Sequence, residues 1–351
     1  VLGVLDTGFY KDHESIQTER ILAEWDFVND DGNTQNEPGD IASQHTHGTR
    51  VVSIAAGRMD GMLYGPAYNA DLILCKTEDM AQEAPIEEDW FVAGLEFAES
   101  HGADVVTSSL GYIDWYTQAD LDGQTAVTTV AVNVATENGV ICCTAAGNSG
   151  GPGPSLIAPA DAFDVITVGA VDNTGSIASF SSRGPTADGR VKPEVVARGV
   201  STWTAYTSSP TSYSSGNGTS FSTPLVAGVV ACLLEAHPEW SVAQMRTALF
   251  ETADYYVAHG TFDPAYARGY GLIDALAAVQ RTLVAADFDL DNDVDLADFA
   301  AFYACFNGPN RAPVYSSCGY ADLDNDGDVD LSDFSVFSAC FNGPNQPPRC
   351  D

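Results

Sequence analysis

The chain has 351 residues, 45% of them hydrophobic, and a formal net charge of −35. That length exceeds one average domain, and the apolar share can fill a real core, so one large domain plus a small one is expected. Only 14 Lys and Arg stand against 49 Asp and Glu, with lysine at Lys11, Lys76 and Lys192 alone, which excludes nucleic acid as a partner, and no apolar run reaches the roughly 20 residues of a bilayer span.

From Val1 to about Leu283, short apolar strands alternate with helical stretches. Val1–Leu5, Asp71–Cys75, Val105–Ser109, Val140–Ala145 and Val165–Val168 read as buried strands. Trp90–His101, Ala126–Asn138, Ser220–Ala236 and Ser241–Glu251 read as helices. The alternation predicts an α/β fold with a parallel sheet covered on both faces. The site of such a sheet lies beyond the carboxyl ends of its strands, where Asp6, Ser109 and Asn148 converge. Val1 already reads as a strand residue, so a precursor beginning upstream is expected. No signal-peptide pattern is visible.

After residue 283 the composition changes: residues 284–351 hold thirteen Asp and two Arg. The segment beginning Ala286-Asp287-Phe288 returns 35 residues later as Ala321-Asp322-Leu323, and Ala304–Asn310 returns unchanged as Ala339–Asn345. Two copies fit a paired module better than a solenoid. The domains are therefore expected at 1–283 and 284–351.

Serine is a poor nucleophile until a base takes its proton, and that base needs an anion to fix its tautomer. Asp6-Thr7-Gly8, His47-Gly48-Thr49 and Gly218-Thr219-Ser220-Phe221-Ser222-Thr223-Pro224 supply the three roles in order: Asp6 orients, His47 is base then acid, Ser220 attacks. His45 is a weaker candidate base because no Gly-Thr follows it. Asn148, in Ala145-Ala146-Gly147-Asn148-Ser149-Gly150, offers its amide to an oxyanion beside the Ser220 N–H.

These blocks, with Ser108-Ser109-Leu110-Gly111, the Phe180–Pro193 stretch and the closing Gly269–Asp274 run, resemble the subtilisin-like serine proteases over about residues 1–283. The resemblance implies a secreted endopeptidase acting through an acyl-enzyme, a three-layer α/β fold with a mostly parallel sheet of about seven strands, and a removable propeptide. Phe221 stands where many relatives carry an oxidisable Met, so tolerance of peroxide is expected. Arg50 follows His-Gly-Thr as in the kexin-like branch, and Arg198 stands where relatives usually have proline.

Ser109, Leu110 and Gly111 form one expected wall of the S1 pocket, and Ala145, Ala146 and Gly147 the other. Ile157 falls at the pocket floor and shortens it, so a small or medium apolar P1 residue is expected. The segment before Trp90 is the expected substrate-pairing edge strand. Its Glu83, Glu87, Glu88 and Asp89 read either as a solvated loop or as attraction for basic P2 or P4 residues. Tyr112–Gly123 is an expected rim loop near S1.

In the tail, Asp287, Asp289, Asp291, Asp295 and Asp298, and again Asp322, Asp324, Asp326, Asp330 and Asp333, take positions 1, 3, 5, 9 and 12 of a calcium loop. Asp293 and Asp328 give carbonyls at position 7. Aspartate at position 12, in a duplicated loop with a following helix, resembles the dockerin module of cellulosomal proteins. That implies a small EF-hand-like helical domain with two calcium ions and a cohesin-like or cell-surface receptor. Cys305, Cys318, Cys340 and Cys350 look like a disulfide framework in an oxidising compartment. Repeat logic pairs Cys305 with Cys318 and Cys340 with Cys350; Cys305–Cys340 is the alternative. Cys75, Cys142, Cys143 and Cys232 lie in apolar stretches and read as buried thiols, with one disulfide among them left open. Within the peptidase domain, Asp26, Asn29, Asp31, Asn33 and Gln35 resemble the calcium loop of the thermitase branch. Ser15 departs from the Asp that many relatives use at their tight calcium site. An extracellular monomer cutting protein or peptide substrates is expected.

Overall fold

The computed structural model describes residues 1–281, 286–289, 293–311, 318, 321–324, 326–344, 346, 348 and 350. The expected domain boundary after 283 therefore lies outside the described residues, as does Asp291. The strands are β1 (Leu2–Asp6), β2 (Ile21–Asp26), β3 (Arg58–Met59), β4 (Leu63–Tyr64), β5 (Leu72–Lys76), β6 (Val105–Ser108), β7 (Ile141–Ala145), β8 (Ile166–Val171), β9 (Val195–Arg198), β10 (Thr202–Tyr206), β11 (Ser212–Gly216) and β12 (Gly271–Leu272). The helices are α1 (Thr46–Ala56), α2 (Ile86–Ser100), α3 (Val127–Glu137), α4 (Thr219–Ala236), α5 (Val242–Glu251), α6 (Asp254–His259), α7 (Ala275–Val279), α8 (Leu296–Cys305) and α9 (Leu331–Cys340).

Eight strands form one sheet in the order β12-β9-β8-β7-β6-β1-β5-β2, and every pairing in it is parallel. β1, β5 and β7 are buried at every residue. That is why they read as unbroken apolar runs: a parallel sheet is covered on both faces. One face packs on α1, α4 and α5 through Val51, Val52, Val226, Val230 and Met245. The other packs on α2 and α3 through Phe91, Leu95, Val132 and Ala135. All five expected strands and four expected helices are present within a few residues. β2, β9 and β12, short or half-exposed segments that the reading did not announce, bring those five strands to eight, against the about seven that the resemblance implies. Helix α1 also goes beyond the reading. Its Gly48, Thr49, Val51, Val52 and Ile54 are poor helix formers, but all are buried, and packing overrides propensity.

Helix α4 is long and apolar enough to cross a bilayer by length and composition, but 61% of it is buried inside the protein. It lies against β6, β7, β8, β9 and α1, so it reads as a core helix. Cys75, Cys142 and Cys143 are buried free thiols. Cys232 corrects the reading: it is exposed on α4, its thiol turned to the Pro66 carbonyl at 3.2 Å.

The tail has its own apolar core of Ala286, Val294, Phe302, Ala321, Val329 and Phe337. Its halves exchange hydrogen bonds symmetrically. The N–H groups of Asn307 and Gly308 donate to the Val329 carbonyl, and those of Asn342 and Gly343 donate to the Val294 carbonyl. Cys305–Cys318 and Cys340–Cys350 are disulfides, so each bridge closes within one repeat, as repeat logic expects.

Candidate active site

The carboxyl ends of β1, β6 and β7 bring Asp6, Ser109 and Asn148 to one edge of the sheet, and α1 and α4 deliver His47 and Ser220 to the same place. Asp6 is fully buried, and its Oδ1 lies 2.7 Å from His47 Nδ1. The Thr7 N–H also donates to Oδ1 at 2.8 Å, which fixes the carboxylate. Burial pulls the His47 imidazole down, but the charge and hydrogen bond of Asp6 outweigh it, and its pKa is raised.

Ser220 sits in the first turn of α4. Gly218 caps that turn at φ 152°, a conformation glycine favours. Pro224 has no N–H for the Ser220 carbonyl four residues back. That carbonyl accepts instead from the Ser109 hydroxyl at 3.0 Å. The Ser220 hydroxyl is turned to the Ser109 carbonyl at 3.4 Å, and no hydrogen bond to His47 forms in this arrangement. Asn148 is exposed, and its Oδ1 accepts from the Thr219 N–H at 2.8 Å and hydroxyl at 3.1 Å. That leaves the amide NH2, which lies near Gly218 and the Ser220 N–H, for a ligand. Thr219, which the sequence did not single out, ties the nucleophile's turn to the Gly147 wall through the same hydroxyl. Its place beside Ser220 was the available signal.

Ile157 lies between the two expected S1 walls. A Cβ on Gly111 would fall 2.3 Å from Ile157 Cδ1, and one on Gly147 3.2 Å from its Cγ2. Paired backbone hydrogen bonds between Tyr112 and Ala158, at 2.9 and 3.0 Å, hold that segment. The Tyr112–Gly123 loop is thus partly a buttress behind the pocket. Leu110, Ala145 and Ala146 are buried in the walls.

The segment before Trp90 differs from expectation. It is the first turn of α2, not a strand, and a helix N-terminus favours carboxylates. Glu87 is buried and accepts from the N–H groups of Ala84 and Asp79 at 2.8 and 3.1 Å. Glu88 is buried against Trp115 Nε1 at 2.6 Å and the Tyr116 hydroxyl at 2.9 Å. Only Glu83 and Asp89 of the four remain exposed.

Of the expected loop ligands, Asp26 and Asp31 gather with Glu37 within 4.8 Å, and Asn33 Nδ2 donates to Glu37 Oε1 at 2.9 Å. Two lysines compete for the oxygens. Lys76 Nζ lies 2.7 Å from Asp26 and 2.9 Å from Asp40, and Lys11 donates to Asn33 Oδ1 at 3.2 Å. Gln35 Oε1 accepts from the Lys11 N–H and Asn29 Nδ2 donates to Asp26. In the tail, Asp287, Asp289 and Asp298, then Asp293, Asp295 and Asp298, then Asp322, Asp324 and Asp326 converge. Asp298 accepts from the N–H groups of Phe288, Asp289 and Asp295, and Asp333 from those of Leu323, Asp324 and Asp330. Asp330 caps α9. Asp328 has a buried, unpartnered Oδ1, an orphaned acceptor that suits a cation.

The profile described as Peptidase_S8, the subtilase family, matches residues 1–272. Subtilisin DY of Bacillus licheniformis is 34% identical over 283 residues, covering 80% of this chain and 90% of that protein. Subtilisin E of Bacillus subtilis is 35% identical over 238 residues, 67% of this chain and 56% of that protein. Among solved structures, a serine-to-alanine mutant of the protease domain of PatA superposes with a TM-score of 0.64 at 23% identity, covering 79% of this chain and 92% of that one. The prenylagaramide maturation protease PagA gives 0.63 at 23%, covering 80% and 91%. The class is that of the serine endopeptidases. Within it the chain belongs to the subtilase family, and it is a subtilisin-like enzyme.

Proposed function

We propose that peptide bonds are cut by Ser220, with His47 as general base and acid, Asp6 as orienter, and Asn148 with the Ser220 N–H as the oxyanion hole. The observation carrying this reading is the 2.7 Å Asp6–His47 contact beside the turn that presents Ser220. The Ser220 hydroxyl leaves the Ser109 carbonyl, turns to His47 Nε2 and attacks as its proton passes to the imidazole. His47 then gives that proton to the leaving amine, and water repeats both steps on the acyl-enzyme. Ser220→Ala should lower kcat by about 10⁶-fold, the size of the nucleophile's share in subtilisin. It should also abolish labelling by a fluorophosphonate; labelling that persisted would overturn the assignment. The base must be neutral, so kcat/KM should fall with decreasing pH along a limb lying above the usual histidine value of 6.5.

The side chain of Ile157 takes up space between the S1 walls, which favours small or medium apolar P1 residues. Two disulfides in a short polar tail support an extracellular site of action. Calcium would be held in the tail by the aspartates of each repeat, Asp287 to Asp298 and Asp322 to Asp333, and in the peptidase domain by Asp26, Asp31 and Glu37. It would supply charge neutralisation and rigidity, with no part in the bond cleavage. The tail is read as a dockerin-like module for a cohesin-like or cell-surface receptor. In its support, Leu296 and Leu331 stand at equivalent repeat positions with 72% and 69% exposure.

A further inference from the structure

In a chain with so few cations, most buried ones have an obvious counter-ion. Lys11, Lys76, Lys192, Arg190, Arg246 and Arg281 each meet a carboxylate. Arg50, in α1 one turn after His47, is half-buried and meets none among the described residues. Its guanidinium lies 4.7 Å over the Phe221 ring and 5.7 Å over Tyr206. Nε donates to the Thr204 hydroxyl at 3.1 Å, and Nη2 is buried with no acceptor. The backbone makes room for it: a Cβ on Gly216, the end of β11, would fall 2.2 Å from Nη2. Thr46 and Thr207, hydrogen-bonded at 2.7 Å, tie the end of the β10–β11 hairpin to the start of α1.

The position of this unpaired charge is informative. Phe221 follows the nucleophile, and its ring lies 6.1 Å from that of His47, with Arg50 stacked on the same ring. The base hands its proton to the leaving amine, so the part of the substrate that departs lies on the His47 side of Ser220. Asn148 and the Gly147 wall meet the nucleophile's turn through Thr219 instead. Arg50 therefore belongs to the leaving-group half of the cleft. A guanidinium stacked on an aromatic face, held at Nε by Thr204 and with Nη2 packed against Gly216, is a fixed charge that leaves Nη1 to meet a carboxylate oxygen.

We propose that Arg50 is a specificity residue that receives a substrate carboxylate at the first or second residue beyond the scissile bond. The inference rests on the reading of Ser220 and His47 given above. Two sources carry that group: an Asp or Glu side chain, or the terminal carboxylate of a short leaving peptide.

The test uses internally quenched peptides that share one small P1 residue. One set carries Glu, Gln or Lys at the first or second position after the bond, with an amidated end. A second set carries Gln there and ends, amidated or free, two residues after the bond. The enzyme should prefer Glu over Gln, or the free over the amidated end, by about 10-fold in kcat/KM. Which set responds names the source, and Lys should be the poorest. Arg50→Gln should bring the responding ratio close to one, and Arg50→Lys should keep part of it. The preference should shrink at high ionic strength. Equal cutting of all peptides by the unmodified enzyme would overturn the proposal, as would a ratio that survives Arg50→Gln. A purely structural role would slow every peptide alike and leave the ratios intact, which also overturns it. Failure to cut any peptide would instead refute the assignment of Ser220 and His47.

Discussion

The peptidase domain and the tail neutralise their carboxylates by different means. In the peptidase domain every lysine is an internal counter-ion: Lys11 to Glu24, Lys76 to Asp26 and Asp40, Lys192 to Glu194. Lys192 is buried deeply enough that desolvation, against the opposing pull of Glu194, brings its pKa to about 8. The tail has no lysine at all. Asp298 and Asp333 are each fully buried and accept from three backbone N–H groups. Asp287, Asp289, Asp293 and Asp295 in the first repeat, and Asp322, Asp324 and Asp326 in the second, lie in acidic clusters. One region answers most of its buried carboxylates with its own lysines; the other, with none, is built to recruit cations.

Removing a covalent cation tests this contrast most severely. Lys76→Met would leave the buried Asp26 and the partly buried Asp40 without their shared cation. Loss of one partner of a buried pair costs about 3–5 kcal/mol, so the domain should melt far lower or fail to fold. A near-native melting temperature would mean that a bound ion, not Lys76, is the true partner of Asp26. Chelation is the complementary experiment. All five tryptophans, Trp25, Trp90, Trp115, Trp203 and Trp240, lie in the peptidase domain, so their fluorescence follows that domain alone, while hydrogen exchange in α8 and α9 follows the tail. Withdrawing an ion present at a hundred times its Kd removes about 2.7 kcal/mol. EDTA should lower protection in the tail by that order and move the tryptophan transition less. Equal shifts in both would erase the distinction.

The tail was legible because its 35-residue repeat favoured pairing Cys305 with Cys318 and Cys340 with Cys350 over the alternative Cys305–Cys340, and the favoured bridges form. The catalytic motifs were legible too, since Asp6, His47, Asn148 and Ser220 each stand in a distinctive small-residue setting. What could not be read were contacts between segments distant in the chain. Pro224 announces that the Ser220 carbonyl lacks its helical partner, but only the fold brings Ser109 there, 111 residues away. Glu87 and Glu88 looked like surface charge until α2 began beneath them. Helix α1 was hidden because burial, not propensity, makes it helical. Lys76 gave no local sign, because its partners lie on β2 and in the loop after it.

One carboxylate of the peptidase domain follows neither rule. Glu78, just beyond β5, has no cation beside it among the described residues; the Tyr112 hydroxyl donates to its Oε2 at 3.3 Å. Burial first, then the charges of Glu87, Glu83 and Asp6, raise its pKa to about 9. Here a proton does what lysine does for Asp26. Unfolding restores an ordinary carboxylate near 4.5, so between that value and about 9 the folded state holds a proton that the unfolded state has released. Stability must then fall as pH rises through this window, and the loss is complete once pH passes the folded value. Glu78→Gln keeps an uncharged side chain of similar shape and does not titrate. It should leave stability near pH 4 almost unchanged and raise it at pH 8, by about 1.4 kcal/mol for each pH unit between the unfolded value and pH 8. A pH-independent effect would mean that Glu78 stays ionised beside Tyr112. An unrecognised cation would then have to serve it as Lys76 serves Asp26.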